Sequence, residues 1–530
     1  MNKVLLFLIF TTTLTSCILP CNSKNILVFL PISSRSVKNV YLPLIKELAS
    51  KGHNITVVSA ASSPPIENVE DIVFVPGEKV LERLATPFDL LRLPIRIRLA
   101  ALNPDLMQIC TEIYEQEDFK KLAKDPKGKF DLVILNAVGN YCFYGLIHEF
   151  QAPVIGVMSF PPPNFVTEPY GLHLPYSFVP VTFLGYTDKM TFCQRVQNFI
   201  LQWLIRCRKY FQHKPESDKF IASKHGPNIP SIEEIEGTFS LLLSNTHFAM
   251  NSKLPLTPDI IEVGGMHCRP SKRIEEGNLQ KWLDDSTNGF IYFSFGSVIQ
   301  GSQIPKEYKI MFTQVFSNLS VNVLWKWESD FAEFIGEIPP NVRLEKWVSQ
   351  QDVLGHKNIK LFISHGGILG VQEAVYHAVP ILGFPFFLDQ GQNMAYVKQN
   401  GIGENFEILE MTEEKLSEVI NQMITNDSYK TQIQEMSRVF RDQPQTPLER
   451  ALFWVEFVLR HDGAYFLKSA SRDLSLFKYQ SYDVVLFLVV ASLILLIFFY
   501  GLYKYFWIAF LIVLGILAVI LGIAWQMEYI

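Results

Sequence analysis

Short apolar runs alternate with helix-like segments along nearly the whole chain, and that alternation constrains the fold more than any other feature. Runs of strand character fall at 25–31 (NILVFLP), 54–60, 71–76, 131–137, 153–159 and 240–246. A second set follows at 290–296 (FIYFSFG), 322–327, 342–347, 359–364 and 380–384. Strands separated by helices are the pattern of a parallel α/β sheet, because parallel neighbours need a long crossover. The first helix is expected at 41–52, with Pro43 in its first turn, where a missing N–H costs nothing. Residues 251–277 lack periodicity and carry Pro255, Pro258, Pro270 and Gly264-Gly265, so 256–277 reads as a linker. A chain of 530 residues is long enough for two domains of about 200–250 residues each. They are expected at 24–255 and 278–482, the second ending in a return helix near 445–467.

The second half contains the most informative segment, residues 347–390. The apolar run 360–364 meets His365-Gly366-Gly367, and residues 369–377 continue at helical spacing. A strand that feeds a Gly-Gly turn and then a helix presents free backbone N–H groups and the positive end of the helix dipole, an arrangement suited to a phosphate or diphosphate. His365 stands at the mouth of the turn as a further donor. Glu373 follows about two helical turns on, where its carboxylate can accept two vicinal hydroxyls of a ribose. Trp347 offers a flat face for a base. Asp389-Gln390 supplies the carboxylate and amide suited to sugar hydroxyls. Upstream, Gly296-Ser297 closes another strand and brings a hydroxyl and N–H groups to the same kind of crevice.

This stretch resembles the nucleotide-sugar signature of the UDP-glycosyltransferases, the superfamily that contains the UDP-glucuronosyltransferases. The resemblance rests on Phe362, Ser364-His365-Gly366-Gly367, Gly370, Glu373, Pro380, Pro385 and Asp389-Gln390, led in by a WVxQxDVLxH segment at 347–356 that includes Gln350. It is tight from about 289 to 405 and loose over 60–250. Ile368-Leu369 is closer to invertebrate members, which tilts the donor toward UDP-glucose. The resemblance implies a GT-B architecture, two Rossmann-like domains facing a cleft, with the acceptor on the N-terminal side. It implies a UDP-sugar donor bound by Ser297, Trp347, Gln350, His365, Gly366, Gly367, Glu373, Asp389 and Gln390. It implies neither a cofactor nor a metal. The reaction would carry a hexose, glucose or glucuronate, to a small lipophilic acceptor with inversion.

The same family places a catalytic histidine in the loop after the first strand, in a motif like S-x-S-H, and an aspartate after the strand near 131. Here the loop reads Ser33-Ser34-Arg35-Ser36-Val37-Lys38. Val37 stands where the base is expected, and Asn136 or Tyr141 stands where its partner is. An unperturbed Lys38 is protonated at neutral pH and makes a poor base; His148 and His173 are the acceptor-side histidines available for recruitment. Losing a positioned base costs about 10²–10⁴ in rate. A catalytically impaired UDP-sugar-binding relative is therefore the alternative to a working transferase.

The ends of the chain carry membrane signals. Lys3 followed by an apolar stretch reads as a secretory signal peptide over residues 1–23, too short to span a bilayer. Residues 484–527 contain a single charge, Lys504. Two spans, 484–503 and 505–525, fit that length, and a hairpin with Lys504 on the cytosolic side obeys the positive-inside tendency; a single span with an embedded second segment is the other arrangement. Three sequons, at Asn54, Asn318 and Asn426, suit a chain whose bulk lies in the lumen of the endoplasmic reticulum. Cys110, Cys142, Cys193, Cys207 and Cys268 are odd in number and lack a C-x-x-C pair, so neither a disulfide framework nor a zinc site is expected. A net charge of −5 argues against nucleic acid as a partner. The expected partners are the UDP-sugar, the acceptor and the membrane, with a homo-oligomer left open.

Overall fold

The computed structural model describes residues 23–74, 87–93, 106–251, 253–275, 277–297, 299–331, 334 and 336–528. All but the last residue of the expected signal peptide lies outside them. Two wholly parallel sheets form the frame. The first contains β1 (Asn25–Leu30), β2 (Asn54–Ser59), β3 (Val69–Val73), β4 (Leu132–Asn136), β5 (Val154–Met158), β6 (Leu241–Ser244) and β7 (Ile260–Glu262), in the spatial order β3-β2-β1-β4-β5-β6-β7. The second contains β8 (Phe290–Ser294), β9 (Asn322–Lys326), β10 (Val342–Glu345), β11 (Ile359–Ser364), β12 (Ile381–Gly383) and β13 (Gly403–Asn405), in the order β10-β9-β8-β11-β12-β13. The central strands β1, β4, β5, β8 and β11 are buried at all but one residue at most, as parallel strands covered by helices on both faces must be. In each sheet the chain winds outward one way, returns to the centre, and winds out the other way. The reversals fall between β1 and β4 and between β8 and β11, and crevices for ligands form at such points, outside the carboxyl ends of the strands.

The fold departs from the sequence reading in four places. β7 lies inside the expected linker and pairs with β6, Leu242 opposite Ile260; three residues between prolines are too few to show a period. The first helix starts at Arg35 instead of residue 41, because Ser34 caps it by accepting from the Val37 N–H at 3.3 Å. Pro43 therefore sits in the helix interior. The third departure is a disulfide between Cys110 and Cys142, 32 residues apart. The helix Leu106–Tyr114 and the turn Tyr141–Phe143 bring the two together in the core, a tertiary pairing that spacing alone does not announce. Closing a loop of that size contributes about 2–4 kcal/mol. Cys142→Ser is thus expected to lower the thermal midpoint by several degrees, and added reductant should produce no further drop in the variant; a wild-type midpoint unmoved by reductant would refute the contribution.

The fourth departure concerns the C-terminal part. The chain separates into two compact units, one running to Arg472 and one covering Asp473–Ile530. In the first, the helix Pro447–Arg460 returns to the N-terminal sheet, burying Ala451, Val455 and Val458 in the core that holds Val40, Leu44 and Leu48. Glu456 pairs with His53 at 3.2 Å, and Arg472 grips the fully buried Asp259 through two nitrogens. In the second unit a single helix, Tyr482–Glu528, replaces the expected hairpin. A lone Gly501, with no proline, asparagine or aspartate between it and Lys504, costs a helix only about 1 kcal/mol and does not break it. Its 47 residues extend about 70 Å, more than the roughly 30 Å hydrocarbon core requires. It is long and apolar enough to cross a membrane.

Candidate active site

The central strands of the second sheet end alike. Ser294 closes β8 and Ser364 closes β11, the two are register partners, and each hydroxyl accepts from the backbone N–H two residues on: Gly296 at 3.3 Å and Gly366 at 3.2 Å. Gly296 and Gly366 both have positive φ, +83° and +81°, so the chain turns sharply away from each strand. The turns also touch. A Cβ on Gly296 would lie 2.6 Å from the His365 ring, and one on Gly366 would lie 2.4 Å from Met394. Gly367 then begins the helix Ile368–Tyr376, whose first N–H groups have no carbonyl partner within the helix, and the Ile368 N–H is directed at the Asp389 carboxylate. His365 is half-buried and its Nδ1 has no hydrogen-bond partner among the described residues. Burial, reinforced by Lys326, lowers its pKa to about 4, so the ring is neutral at physiological pH and meets an anion as a hydrogen-bond donor.

Glu373 lies buried on that helix. Gln350 donates to it, and the His267 Nε2 lies 3.8 Å away. Burial raises the Glu373 pKa to about 7, against the opposing pull of Gln350 and the positive field of Arg269. Asp389 is also buried; desolvation raises its pKa while a 2.6 Å bond from the Asn393 amide opposes the shift. Asn393 also donates to the Gly366 carbonyl at 3.0 Å, tying the acidic turn to the Gly-Gly turn. Gln390 is less free than its motif suggests. Its side-chain oxygen accepts from Phe386 and Phe387, which leaves only its N–H groups for a ligand. Trp347 is 57% exposed. Lys326 lies 4.8 Å from its ring centroid and is itself held by the Gly296 carbonyl and Glu328. Ser297 follows Gly296 and is half-buried.

In the first sheet the reversal joins β1 to β4, Phe29 opposite Leu135. The loop after β1 and the end of β4 are therefore neighbours at the carboxyl edge of the sheet, with Val37 in the first turn of the helix after that loop and Asn136 closing β4. Tyr141 instead packs edge-on against Tyr144 within the core, where burial drives its pKa up. Asn136 is 7% exposed and donates to the Val138 carbonyl. Val37 and Leu369, one from each domain, pack against the same core. Lys38 turns away, buried with Asp71 at 2.8 Å. Its burial lowers its pKa, with Asp71 opposing. His148 lies in the last turn of the helix Tyr144–Glu149. His173 stays on the acceptor side, 3.8 Å from Glu168, a carboxylate already engaged by Arg206.

A narrow, partly open pocket lies between the halves. Phe165, Leu174, Val179 and Ile205 give it apolar walls, Asn164 and Gln202 give it polar points, and Gln392 and Tyr396 from the acidic-turn helix close one side. The Asp188 N–H donates to the Tyr396 hydroxyl at 3.0 Å, and the backbones of Gly185 and Gly391 approach closely. The cavity thus borders Asp389-Gln390. Among the described residues no group of three or more histidine, cysteine or acidic side chains is placed to hold a metal.

The sequence profile of the family described as "UDP-glucoronosyl and UDP-glucosyl transferase" matches residues 95–515. The chain belongs to the UDP-glycosyltransferases. It is 33% identical over 487 residues to UDP-glucosyltransferase 2 of Dactylopius coccus, covering 88% of this chain and 90% of that one. It is 32% identical over 478 residues to UDP-glucuronosyltransferase 2C1 of Oryctolagus cuniculus, covering 86% and 93%. Among solved structures, the glycotransferase of kitacinnamycin aligns with a TM-score of 0.56 at 17% identity over 82% of this chain and 98% of that one. The calicheamicin glycosyltransferase CalG4 aligns at 0.54 and 17%, over 83% and 99%. These likenesses bear on the fold, which is GT-B, as the resemblance implied.

Sequence reasoning missed three side chains that pack about these residues. Lys326 belongs to a strand that reads as plain core. Arg269 pairs with Asp352 at 2.6 Å and lies in the expected linker. Asn393, four residues after Asp389 on one helical face, could have been found from its i,i+4 spacing.

Proposed function

We propose that this chain transfers a hexose from a UDP-sugar to small lipophilic acceptors with inversion. The observation that carries the reading is the meeting of two Ser-x-Gly strand ends at the β8/β11 reversal. On this reading the helix start after Gly367 and the neutral His365 take the diphosphate, Glu373 takes the ribose and Asp389 takes the hexose. The acceptor enters the apolar cavity beside Asp389. Its lone pair attacks the anomeric carbon on the face opposite the diphosphate. The bond to the diphosphate oxygen breaks with its electron pair, the new negative charge is met by the N–H groups, and the acceptor's proton passes to solvent. With Val37 and Asn136 in the dyad positions, acidic phenols and neutral amines are the favoured acceptors.

The helix Phe192–Arg208 supports membrane-proximal acceptors. Gln202 and Ile205 line the cavity, while Phe192, Phe199, Ile200 and Leu204 are exposed, as is Arg195. An endoplasmic-reticulum membrane setting also agrees with the exposed sequons Asn54, Asn318 and Asn426. The second reading, a UDP-sugar binder without turnover, is favoured by Val37 and Asn136 alone.

The test is UDP release by the full-length chain in detergent, supplied with UDP-glucose or UDP-glucuronate and a mixed pool of phenols, alcohols and amines. Release that disappears in Glu373→Ala is expected. No release with any acceptor, while UDP still raises the thermal midpoint, would select the binder.

A further inference from the structure

Arg35 is the first residue of its helix, exposed, and supplied by the acceptor-side domain. Among the described residues it takes part in no ion pair. Its guanidinium carbon instead lies 5.8 Å from the ring centroid of Trp347, across the cleft. Lys326 flanks the same indole at 4.8 Å, but Glu328 already holds that ammonium at 2.8 Å and the Gly296 carbonyl holds it at 2.7 Å. Two cations thus converge on one exposed ring beside the Gly296 turn, and only Lys326 is neutralised.

We propose that Arg35 is a donor-contacting residue: it rests on Trp347 in the empty cleft and moves to the diphosphate when a nucleotide arrives. The proposal rests on the donor-site reading above and adds a contact that the sequence signature does not contain. A neutral base competes with the guanidinium for the indole face, whereas a diphosphate attracts it. A guanidinium matches two phosphate oxygens at once, which a point charge such as Lys326 does not. During transfer, the electron pair leaving the anomeric carbon settles on the diphosphate oxygen, and Arg35 stabilises that charge without moving a proton. Its place two residues before Val37 puts leaving-group assistance where the family keeps its base. The chain thereby aids departure of UDP in place of activation of the acceptor.

This makes opposite predictions for two ligands. In full-length Arg35→Ala, UDP is expected to bind about 10–100-fold more weakly, the range for charged hydrogen bonds. Uridine, which has no phosphate, should bind as tightly as to wild type or more tightly, because its competitor for Trp347 is gone. Arg35→Lys should fall between, and kcat/KM for the UDP-sugar should follow UDP affinity. Calorimetry with UDP and uridine on both variants and wild type decides the matter. Equal UDP affinity in Arg35→Ala would overturn the proposal, as would parallel loss of UDP and uridine, which marks a structural role. Wild type that binds neither ligand would instead overturn the donor-site reading beneath it.

Discussion

Val37→His combined with Asn136→Asp should raise the rate of transfer to aliphatic alcohols by about 10²–10⁴, the usual contribution of a positioned base. Val37 is three residues past the helix cap, half-buried, and packed against the core that Leu369 of the donor domain also meets. A histidine there would project into the cleft from a rigid element. Asn136 closes β4, the strand paired with β1, so a carboxylate at this position is placed to fix the tautomer of that imidazole. The two changes should act as a unit. Asn136→Asp alone removes the amide that donates to Val138 and leaves a buried acid with no partner, so it should destabilise without a gain in rate. Val37→His alone lacks its orienting group and should give a small part of the gain. The benefit should also shrink as the acceptor grows more acidic, being large for alcohols, smaller for phenols and near zero for amines. Initial rates of UDP release across such a series read this directly. A double variant that binds UDP normally yet is no faster with any alcohol would show that acceptor deprotonation does not limit this chain.

The legible and hidden parts of this molecule differ in the range over which their signal travels. The strand runs could be read because burial on both faces demands continuous apolar residues, and β11 was bounded to the residue. The Gly-Gly turn and the helices that carry Glu373 and Asp389 could be read because they lie within a few dozen residues of one another; the nucleotide roles given to them remain the proposal. Cys110 and Cys142 could not be paired, since their meeting depends on how a helix and a turn 32 residues apart pack. Nor could Lys326, Arg269 or the Arg35–Trp347 contact be foreseen. Each joins elements from distant parts of the chain, and nothing in the local pattern marks a lysine on a buried strand as a neighbour of an exposed tryptophan. The C-terminal hairpin failed for another reason. The length argument allowed two spans, but a hairpin needs a turn, and residues 501–505 read Gly-Leu-Tyr-Lys-Tyr, which a helix accommodates.

Glu373 should make donor binding depend on pH in a direction fixed by its burial. Its pKa stands near 7 because desolvation outweighs Gln350 and Arg269. At pH 6 it is mostly protonated and at pH 8 mostly ionised, while the neighbouring His267 and His365, both near 4, stay neutral throughout. Only the ionised form accepts from both ribose hydroxyls, so affinity should rise from pH 6 to pH 8, with a proton released on binding. The sign for the empty protein is the reverse. A folded-state pKa above the unfolded value means the contribution to stability is fully present below about pH 4.5 and is lost as pH climbs through 7. Bound nucleotide should therefore protect most at alkaline pH, where the empty site is weakest. Phosphate ionises near pH 6 and would blur the result with UDP, so uridine is the proper probe. Glu373→Gln keeps the shape and one acceptor, and should flatten the pH dependence of uridine binding. Glu373→Ala should cost about 100-fold or more, the scale of two hydrogen bonds to a charged group. Calorimetry between pH 6 and pH 8, repeated in buffers of different ionisation heat, reports both the affinity and the released proton. Uridine affinity that is flat with pH in wild type and unchanged in Glu373→Gln would remove Glu373 from the ribose site, leaving the buried carboxylate a purely structural partner of Gln350.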